Sequence, residues 1–468
     1  MLLLLFGCEP MPEPGPPSCV PDSTSGVELT ADPVNLLRYR VVVADAGSAT
    51  TLRVWDATAD ASMGWDVAAR VDGSASIWGL RFNTTYEVRV GDGGVATCVT
   101  TVPRPAAFPT AEVGGLGASG VNYVLANLRT GDDAEEMLAI FDNEGELVWY
   151  ELVSTLTGSA DDFYDGYSWD PVSRSVYSIV NHDRIVQYAM DGTVLKLWGP
   201  ETLNHAMSHE VRVIGGKPYV LVTDSFQDAA GDTFLSDGYQ VYADDGTRER
   251  EWFLRDHGLS LTTDPMPRAH ARDTYWDETF GTAATDWTHI NSLDVTGAGA
   301  DEAVFLSLRN LDQLVKVDVA SGEIVWQLGD NGAGGAHSAG DFKLLGGNRW
   351  FFSQHHLTAG PDGDFLVYDN GHGEDHTRAI EFSVDEAAGT ITYGTIADLG
   401  RSCSVSRGAA YRLQNGNVLV TCGNNAQVQE FDRLGLPVWS LQFDCRSAEG
   451  ACVLYRGIPV DSITETEG

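Results

Sequence analysis

The string D-N-E-G-E-L-V-W at residues 142–149 is the first of six similar units, each with a Gly-containing turn followed by a short strand that usually ends in Trp. The other five are M-D-G-T-V-L-K-L-W at 190–198, D-D-G-T-R-E-R-E-W at 244–252, A-S-G-E-I-V-W at 320–326, A-A-G-T-I-T-Y at 387–393 and D-R-L-G-L-P-V-W at 432–439. Successive turn glycines are 46 to 76 residues apart, near the ~40–50 residues of four-stranded propeller repeats once variable insertions are allowed. The repeat predicts a six-bladed β-propeller over residues 106–460.

The region before the repeat, residues 26–102, alternates apolar and polar residues in short runs such as T-L-R-V-W at 51–55. A period of two is typical of half-buried strands. The string L-R-F-N-T-T-Y at 80–86 is similar to the tyrosine corner of fibronectin type III and immunoglobulin-like sandwiches, where a tyrosine hydroxyl binds the backbone upstream. We therefore expect an all-β chain with a small β-sandwich, joined to the propeller by V-P-R-P at 102–105.

Composition restricts the partners of the protein. Asp and Glu number 67 against 29 Lys and Arg, for a net charge of −38, and no basic run occurs. Phosphate backbones are bound by clustered Lys and Arg, so nucleic acid is excluded as a partner. A local group of Arg and His can still attract a small anion, because salt screens distant charges beyond ~8–10 Å.

The chain opens with M-L-L-L-L-F-G-C and the Pro-rich E-P-M-P-E-P-G-P-P-S, which predicts a lipoprotein-type signal and linker over residues 1–25. Cys8 would be the lipidated N-terminus after cleavage, although the usual positive residues are missing. No later run reaches the ~18–20 apolar residues of a spanning helix, so we expect membrane attachment through lipid alone. The expected location is the periplasm or the cell surface.

The seven cysteines leave six when Cys8 is set aside, an even number that suits an oxidising compartment. Proximity in sequence favours the pairs Cys19 with Cys98, Cys403 with Cys422, and Cys445 with Cys452. None has the C-x-x-C spacing of a zinc ribbon or a thioredoxin-like centre.

All eleven histidines lie between His182 and His376, and three occur in the polar strings H-E at 209–210, D-W-T-H-I-N at 286–291 and S-Q-H at 353–355. Histidine titrates near neutral pH and serves as nucleophile, base or cation. The strings fall in different repeats, and successive blades bring their side chains to one mouth of a propeller channel. A histidine-built site is therefore predicted there.

The strings S-H-E, D-W-T-H-I-N-S-L-D, S-L-R-N-L-D-Q-L-V-K-V-D, F-S-Q-H-H and F-L-V-Y-D-N-G, in this order, resemble the bacterial arylsulfotransferase family over most of residues 106–440. The resemblance implies a propeller enzyme that moves a sulfuryl group from an aryl sulfate to a phenol through a sulfohistidine, with no cofactor. It makes His355 the nucleophile and assigns sulfate binding to His289, Asn291 and Arg309, with His209 beside them.

Some assignments stay open at the level of sequence. His356 follows His355 directly and could be the nucleophile or a substrate-binding residue, since neighbours on a strand point to opposite faces. His205 could replace His209. The remaining histidines are expected at the surface: His182, His257, His270, His337, His372 and His376.

Two other functions are open as well. The first is a metal-dependent hydrolase with His209, His289 and His355 as ligands, against which the absence of H-x-H and H-E-x-x-H counts. The second is a non-catalytic propeller that displays a binding surface, since propellers host many functions. A quinoprotein-like enzyme is weaker, because no cofactor cage is recognisable.

Overall fold

A computed structural model places the backbone of most of the chain. It describes residues 26–44, 50–59, 63–91, 95–115, 117–130, 135–199, 205–257, 276–281, 284–329, 338–345, 350–360, 362–371, 376–400, 403, 406–445, 452 and 454–464. The chain divides into two compact units, residues 1–104 with 464–468, and residues 105–463. Cys8, Cys19, His270, His337 and His372 lie outside the described residues.

The first unit contains two sheets. Its strands are β1 (Val27–Ala31), β2 (Tyr39–Val43), β3 (Thr51–Asp56), β4 (Trp65–Ala68), β5 (Ser74–Ile77), β6 (Thr85–Val90) and β7 (Thr97–Thr100). One sheet has the order β1-β2-β5 and the other β4-β3-β6-β7, and both contribute to one apolar core. The buried Tyr86 hydroxyl accepts a hydrogen bond from the Arg81 peptide N–H at 2.8 Å, the contact expected of a tyrosine corner.

The second unit consists almost entirely of strands. In chain order they are β8 (Thr110–Gly115), β9 (Tyr123–Arg129), β10 (Glu136–Asp142), β11 (Leu147–Leu152), β12 (Tyr164–Asp170), β13 (Ser175–Val180), β14 (Arg184–Ala189), β15 (Val194–Trp198), β16 (Ala206–Ile214), β17 (Lys217–Gln227), β18 (Thr233–Tyr242), β19 (Arg248–Phe253), β20 (Thr285–Asp286), β21 (Ile290–Thr296), β22 (Ala303–Leu308), β23 (Gln313–Asp318), β24 (Ile324–Gly329), β25 (Ser338–Ala339), β26 (Phe342–Leu345), β27 (His356–Ala359), β28 (Asp364–Asp369), β29 (Thr377–Asp385), β30 (Thr390–Gly400), β31 (Ala409–Arg412), β32 (Val418–Cys422), β33 (Gln427–Phe431), β34 (Pro437–Asp444) and β35 (Gly457–Val460). Two short helices are α1 (Val153–Thr157) and α2 (Asp277–Phe280).

These strands form six sheets among the described residues of the unit. The sheets have the orders β35-β9-β10-β11, β12-β13-β14-β15, β16-β17-β18-β19, β21-β22-β23-β24, β27-β28-β29-β30-β26-β25 and β31-β32-β33-β34-β8, with β20 beside β18. The first strands of these orders touch one another in sequence, β12 with β16, β16 with β21, β21 with β27, β27 with β31, β31 with β35, and β35 with β12. They form a closed ring, so the predicted all-β propeller is confirmed.

Both chain ends of the unit close this ring. The early strand β8 pairs with β34 of the last sheet, and the late strand β35 pairs with β9 of the first sheet. Each closing sheet is thus built from residues more than 300 positions apart in sequence. This pairing ties the two ends of the unit together, and the radial arrangement of the sheets leaves only short, protected strand edges.

The six repeated turns join the third and fourth strands, counted from the inner strand, of six different sheets. Their glycines all have positive φ, from 62° at Gly389 to 84° at Gly145, a region that L side chains rarely adopt. Two of the tryptophans that follow these glycines bind the turn of the next sheet: the indole N–H of Trp149 donates to Met190 O at 3.0 Å, and that of Trp252 to Gly322 O at 2.8 Å. The repeat therefore encodes the contacts between neighbouring blades.

Two disulfides lie among the described residues, Cys403–Cys422 and Cys445–Cys452, and both predicted pairs are confirmed. The described part of the chain contains no helix long and apolar enough to span a membrane.

Candidate active site

Three neighbouring inner strands, β12, β16 and β21, each contain a β-bulge. The pairing register shifts between Tyr164 and Tyr167 in β12, between Met207 and Val211 in β16, and between Ile290 and Ser292 in β21. Bulges redirect side chains and are common beside active sites. The bulge in β16 contains the H-E string of the third sheet, and the bulge in β21 adjoins the D-W-T-H-I-N string of the fourth.

His209 and His289 both have a left-handed backbone at these bulges. Their φ values are 63° and 47°, a conformation that costs of order ~1–3 kcal/mol for a residue other than Gly. Gly166 allows β12 to lie close to the backbone of His209 in β16, because a Cβ at position 166 would lie 2.4 Å from the carbonyl carbon of His209. Such strain persists where the surrounding structure fixes a functional geometry.

The three predicted histidines meet in space. The ring centroid of His209 is 4.8 Å from that of His289 and 6.4 Å from that of His355. A fourth ring, Tyr455, lies 5.3 Å from His355 and 6.3 Å from His209. All three histidines are buried, with 3–6% of their surface exposed.

His355 has a defined tautomer. Its Nδ1 lies 3.0 Å from the carbonyl oxygen of Gly408, which can only accept, so Nδ1 carries the proton and the neutral ring keeps its lone pair at Nε2. Burial, followed by the Arg456 guanidinium and His209, holds the pKa of His355 well below its usual value. The ring is therefore neutral and nucleophilic at neutral pH.

His356 points away from this group. Its Nδ1 lies 3.1 Å from the carbonyl oxygen of Ala410, its ring packs 4.5 Å from Tyr411, and its side chain is fully buried. Burial and Arg456 lower its pKa well below the ordinary range. The role of His356 in substrate binding stays a prediction: its ring contacts Tyr411, whereas that of His355 lies beside those of His209 and Tyr455.

His289 is oriented by Asp286, whose Oδ2 lies 2.5 Å from Nδ1 of the ring. A carboxylate in this place fixes the tautomer and stabilises an imidazolium. Arg309 follows β22 in a short 3-10 turn, and its peptide N–H donates to His289 O at 3.2 Å. The positive charge of Arg309 also contributes to the lowered pKa of His355.

Asn291, predicted to bind substrate, is fully buried and contacts the backbone of the residue before His355. Its Nδ2 donates to the carbonyl oxygen of Gln354 at 2.8 Å. Gln354 in turn donates from Nε2 to the carbonyl oxygens of Leu308 at 3.1 Å and Gln313 at 2.9 Å. The structure thus gives Asn291 a positioning contact where the resemblance implies a sulfate contact.

Two other histidines differ in position. His205 does not belong to the cluster of His209, His289 and His355. Its Nε2 lies 3.1 Å from a carboxylate oxygen of Glu251, and its imidazole packs against Phe253. His182, expected at the surface, is half-buried beside the site and shares Asp165 with His209: Asp165 Oδ2 lies 3.3 Å from His182 Nδ1 and accepts the His209 peptide N–H at 3.3 Å. Burial lowers the pKa of His182, but Asp165 outweighs this and raises it.

Residues that the sequence does not single out complete the site. Tyr455 and Arg456 precede the last strand as a plain Y-R pair, a signal too weak to find. Asp286 could have been found, because it begins the D-W-T-H-I-N string three residues before His289. The described residues contain no group of three His, Cys, Asp or Glu side chains placed to hold a metal ion.

A propeller that groups buried histidines and places arginine charge near them defines a class of enzyme suited to transferring an anionic group. The family model for arylsulfotransferase (ASST) matches residues 117–437, and the chain belongs to this family. It is an aryl sulfotransferase, and membership implies aryl sulfate and phenol substrates. No curated protein matches the chain significantly.

Several solved structures are similar to the chain at low identity. A protein of unknown function from Bacteroides caccae is 10% identical with a TM-score of 0.44, over 73% of this chain and 100% of its own. The virginiamycin B lyase of Staphylococcus aureus is 12% identical with a TM-score of 0.35, over 71% and 88%. The Cps50 (Swd1) β-propeller domain from Myceliophteria thermophila is 12% identical with a TM-score of 0.37, over 72% and 86%.

Proposed function

We propose that the protein transfers a sulfuryl group from an aryl sulfate to a phenol through a sulfohistidine at Nε2 of His355. The observation that carries the proposal is the bond from Nδ1 of His355 to Gly408 O at 3.0 Å. It directs the lone pair to the other nitrogen, and burial with nearby positive charge keeps that nitrogen unprotonated.

In the first half-reaction Nε2 of His355 attacks sulfur and the bond from sulfur to the aryl oxygen breaks, with its electron pair leaving on the phenolate. Charge in such a transition state lies on the peripheral oxygens, by analogy with phosphoryl transfer. Arg309 and His289 supply positive or hydrogen-bonding groups for these oxygens. In the second half-reaction the acceptor phenol attacks the same sulfur and releases His355.

One proton must move in each half-reaction. The departing phenolate takes a proton and the acceptor phenol loses one, so the site needs a group that alternates between the two states. His289 has the contact that suits this role, because Asp286 at 2.5 Å stabilises its protonated ring. His209, at 4.8 Å from His289, has its pKa lowered by burial and then by His289 and supplies a neutral neighbour.

The test uses two matched substitutions of adjacent histidines. Asn places an amide nitrogen near the position of Nδ1 and has no Nε2, so His355→Asn keeps the donor to Gly408 and loses the nucleophile. His356→Asn makes the same change on the opposite face. Nitrophenolate release from 4-nitrophenyl sulfate is measured with and without phenol, and with and without EDTA.

We expect phenol-dependent release that survives EDTA in the wild type and in His356→Asn, and loss of at least ~10³-fold in His355→Asn. Mass spectrometry after donor alone should find one sulfuryl group on the peptide that contains His355. Metal-dependent release without acceptor would favour the hydrolase instead. A sulfuryl group on another residue would refute the sulfohistidine at His355.

We also propose that the chain is exported and attached through Cys8. The disulfides Cys403–Cys422 and Cys445–Cys452 support an oxidising compartment. Fractionation of cells that express the wild type and Cys8→Ser tests this: the substitution should move the protein from the membrane fraction to the soluble one, and an unchanged distribution would contradict lipid attachment.

A further inference from the structure

A two-residue segment, Tyr455 and Arg456, lies directly before β35 and binds the inner strands of other sheets. The Tyr455 hydroxyl donates to the carbonyl oxygen of His209 at 2.9 Å, and Nη2 of Arg456 donates to that of Asn291 at 2.7 Å. The peptide N–H and carbonyl of Arg456 both bond the hydroxyl of Tyr167 in β12. The segment therefore touches the backbone or side chains of three successive inner strands.

Hydrogen bonds through a single residue, Gly408, connect the same segment to His355, the proposed nucleophile. The peptide N–H of Gly408 donates to the carbonyl oxygen of Tyr455 at 3.0 Å. The carbonyl oxygen of Gly408 accepts a hydrogen bond from Nδ1 of His355, also at 3.0 Å. The ring of Tyr455 also packs 5.3 Å from that of His355. A displacement of the segment would move the group that orients the nucleophile.

Arg456 is a permanent charge held in the interior. Its side chain is 1% exposed, and Nη1 lies 2.5 Å from Oε2 of Glu210, which is 4% exposed. Burial alone would lower its pKa, but Glu210 and Tyr455 outweigh this and raise it. A buried charge is costly without a partner, so the ion pair fixes where this charge lies.

We propose that Tyr455 and Arg456 form the positioning element of the active site: they set the mutual geometry of His209, Asn291 and His355 from the closing strand and place a permanent positive charge beside the nucleophile. The proposal rests on the sulfuryl transfer proposed above. An ion pair with only a structural role would not influence the titration of His355.

The charged or titratable groups that act on His355 are Arg456, His209 and Arg309. Those that act on Arg456 are the carboxylate of Glu210 and the phenols of Tyr455 and Tyr411. Loss of the Arg456 charge removes a repulsion against the protonated ring of His355 and therefore raises the pKa of His355.

The main test variant is Glu210→Gln with Arg456→Met, which removes both charges and leaves no unpaired ion. Arg456→Lys keeps the charge without the planar fork. The matched control is Asp369→Asn with Arg378→Met, a second buried ion pair, with side chains 0% and 6% exposed, in the fifth sheet. Folding of each variant is checked by its thermal transition.

The first readout is kcat/KM for 4-nitrophenyl sulfate and phenol against pH. In the Glu210→Gln/Arg456→Met variant we expect the acid limb to move to higher pH and the neutral-pH value to fall by about 10- to 100-fold. Arg456→Lys should restore the position of the acid limb. The control pair should leave it in place.

The second readout is independent of activity: NMR titration of ring-labelled histidine, with the His355 signal assigned by its loss in His355→Asn. An upward shift in the charge-free variant supports the proposal even if the wild type transfers no sulfuryl group, in which case only the function fails. An unchanged His355 titration, or a charge-free variant with wild-type kcat/KM, overturns the proposal.

Discussion

Acidification should destabilise the folded propeller, because three of its histidines are buried in the neutral form. His209, His355 and His356 each have a pKa held well below the ordinary value, with burial as the largest cause. In the unfolded chain each regains a pKa of about 6.5. The unfolded state therefore binds more protons below this pH, and the free energy of unfolding falls as pH decreases.

The size of the effect follows from linkage. Between pH 7 and 5.5 an unfolded histidine takes up most of one proton. If the buried imidazole in the folded state takes up none, the cost reaches its upper bound of about 1.3 kcal/mol for each group and about 4 kcal/mol for the three. His182 has a raised pKa, so its stabilisation is fully present below the unfolded pKa and is lost as pH rises above it. Its contribution is therefore nearly constant in the acid part of this interval.

The measurement is urea unfolding at pH 7 and pH 5.5 for the wild type and His356→Asn. The substitution removes one neutral histidine and leaves the carboxylates in place, so their contributions cancel in the comparison. The acid-induced loss should be smaller in the variant by about 1.3 kcal/mol. Equal losses in the two proteins would refute the reasoning, because they would mean that His356 titrates alike in the folded and unfolded states.

Three further substitutions probe the site and the sandwich. Gly166→Ala should lower transfer by roughly 10²-fold, measured as nitrophenolate release, because the new Cβ meets the backbone of His209; unchanged release would show that the bulge yields freely. Asp286→Asn should lower kcat by about 10²–10⁴-fold with folding retained, because His289 loses the carboxylate that stabilises its protonated ring; a wild-type kcat would remove His289 from proton transfer. Tyr86→Phe should cost the sandwich unit about 1–2 kcal/mol in thermal unfolding, since a buried peptide N–H loses its acceptor, and a stability equal to that of the wild type would show that water replaces the hydroxyl.

Local patterns were sufficient for the architecture. A Gly turn followed by a strand ending in Trp is a short-range signal, because both the positive φ and the indole contact belong to one strand pair and its neighbour. The alternation and the tyrosine corner of the first unit are equally local. The disulfides Cys403–Cys422 and Cys445–Cys452 also close short loops, which is why proximity in sequence predicted them.

The sequence predicted only the kind of chemistry at the site. The clustered histidine strings predicted a histidine site, but strand alternation alone could not choose between His355 and His356, nor between His209 and His205. The contacts of His355 with the carbonyl of Gly408, just before β31, and with the ring of Tyr455 exist only in the folded chain.

What only the tertiary structure decided is the closure of the ring. β35 pairs with β9 across more than 300 residues of sequence and brings Tyr455 and Arg456 against His209, Glu210 and Asn291. No local propensity encodes a contact between such distant segments, since it forms only when the last strand completes the first sheet. The sequence alone therefore determined the repeat, the fold class and the kind of chemistry, while tertiary packing determined which ring nitrogen of His355 meets a carbonyl oxygen and which side chains lie beside it.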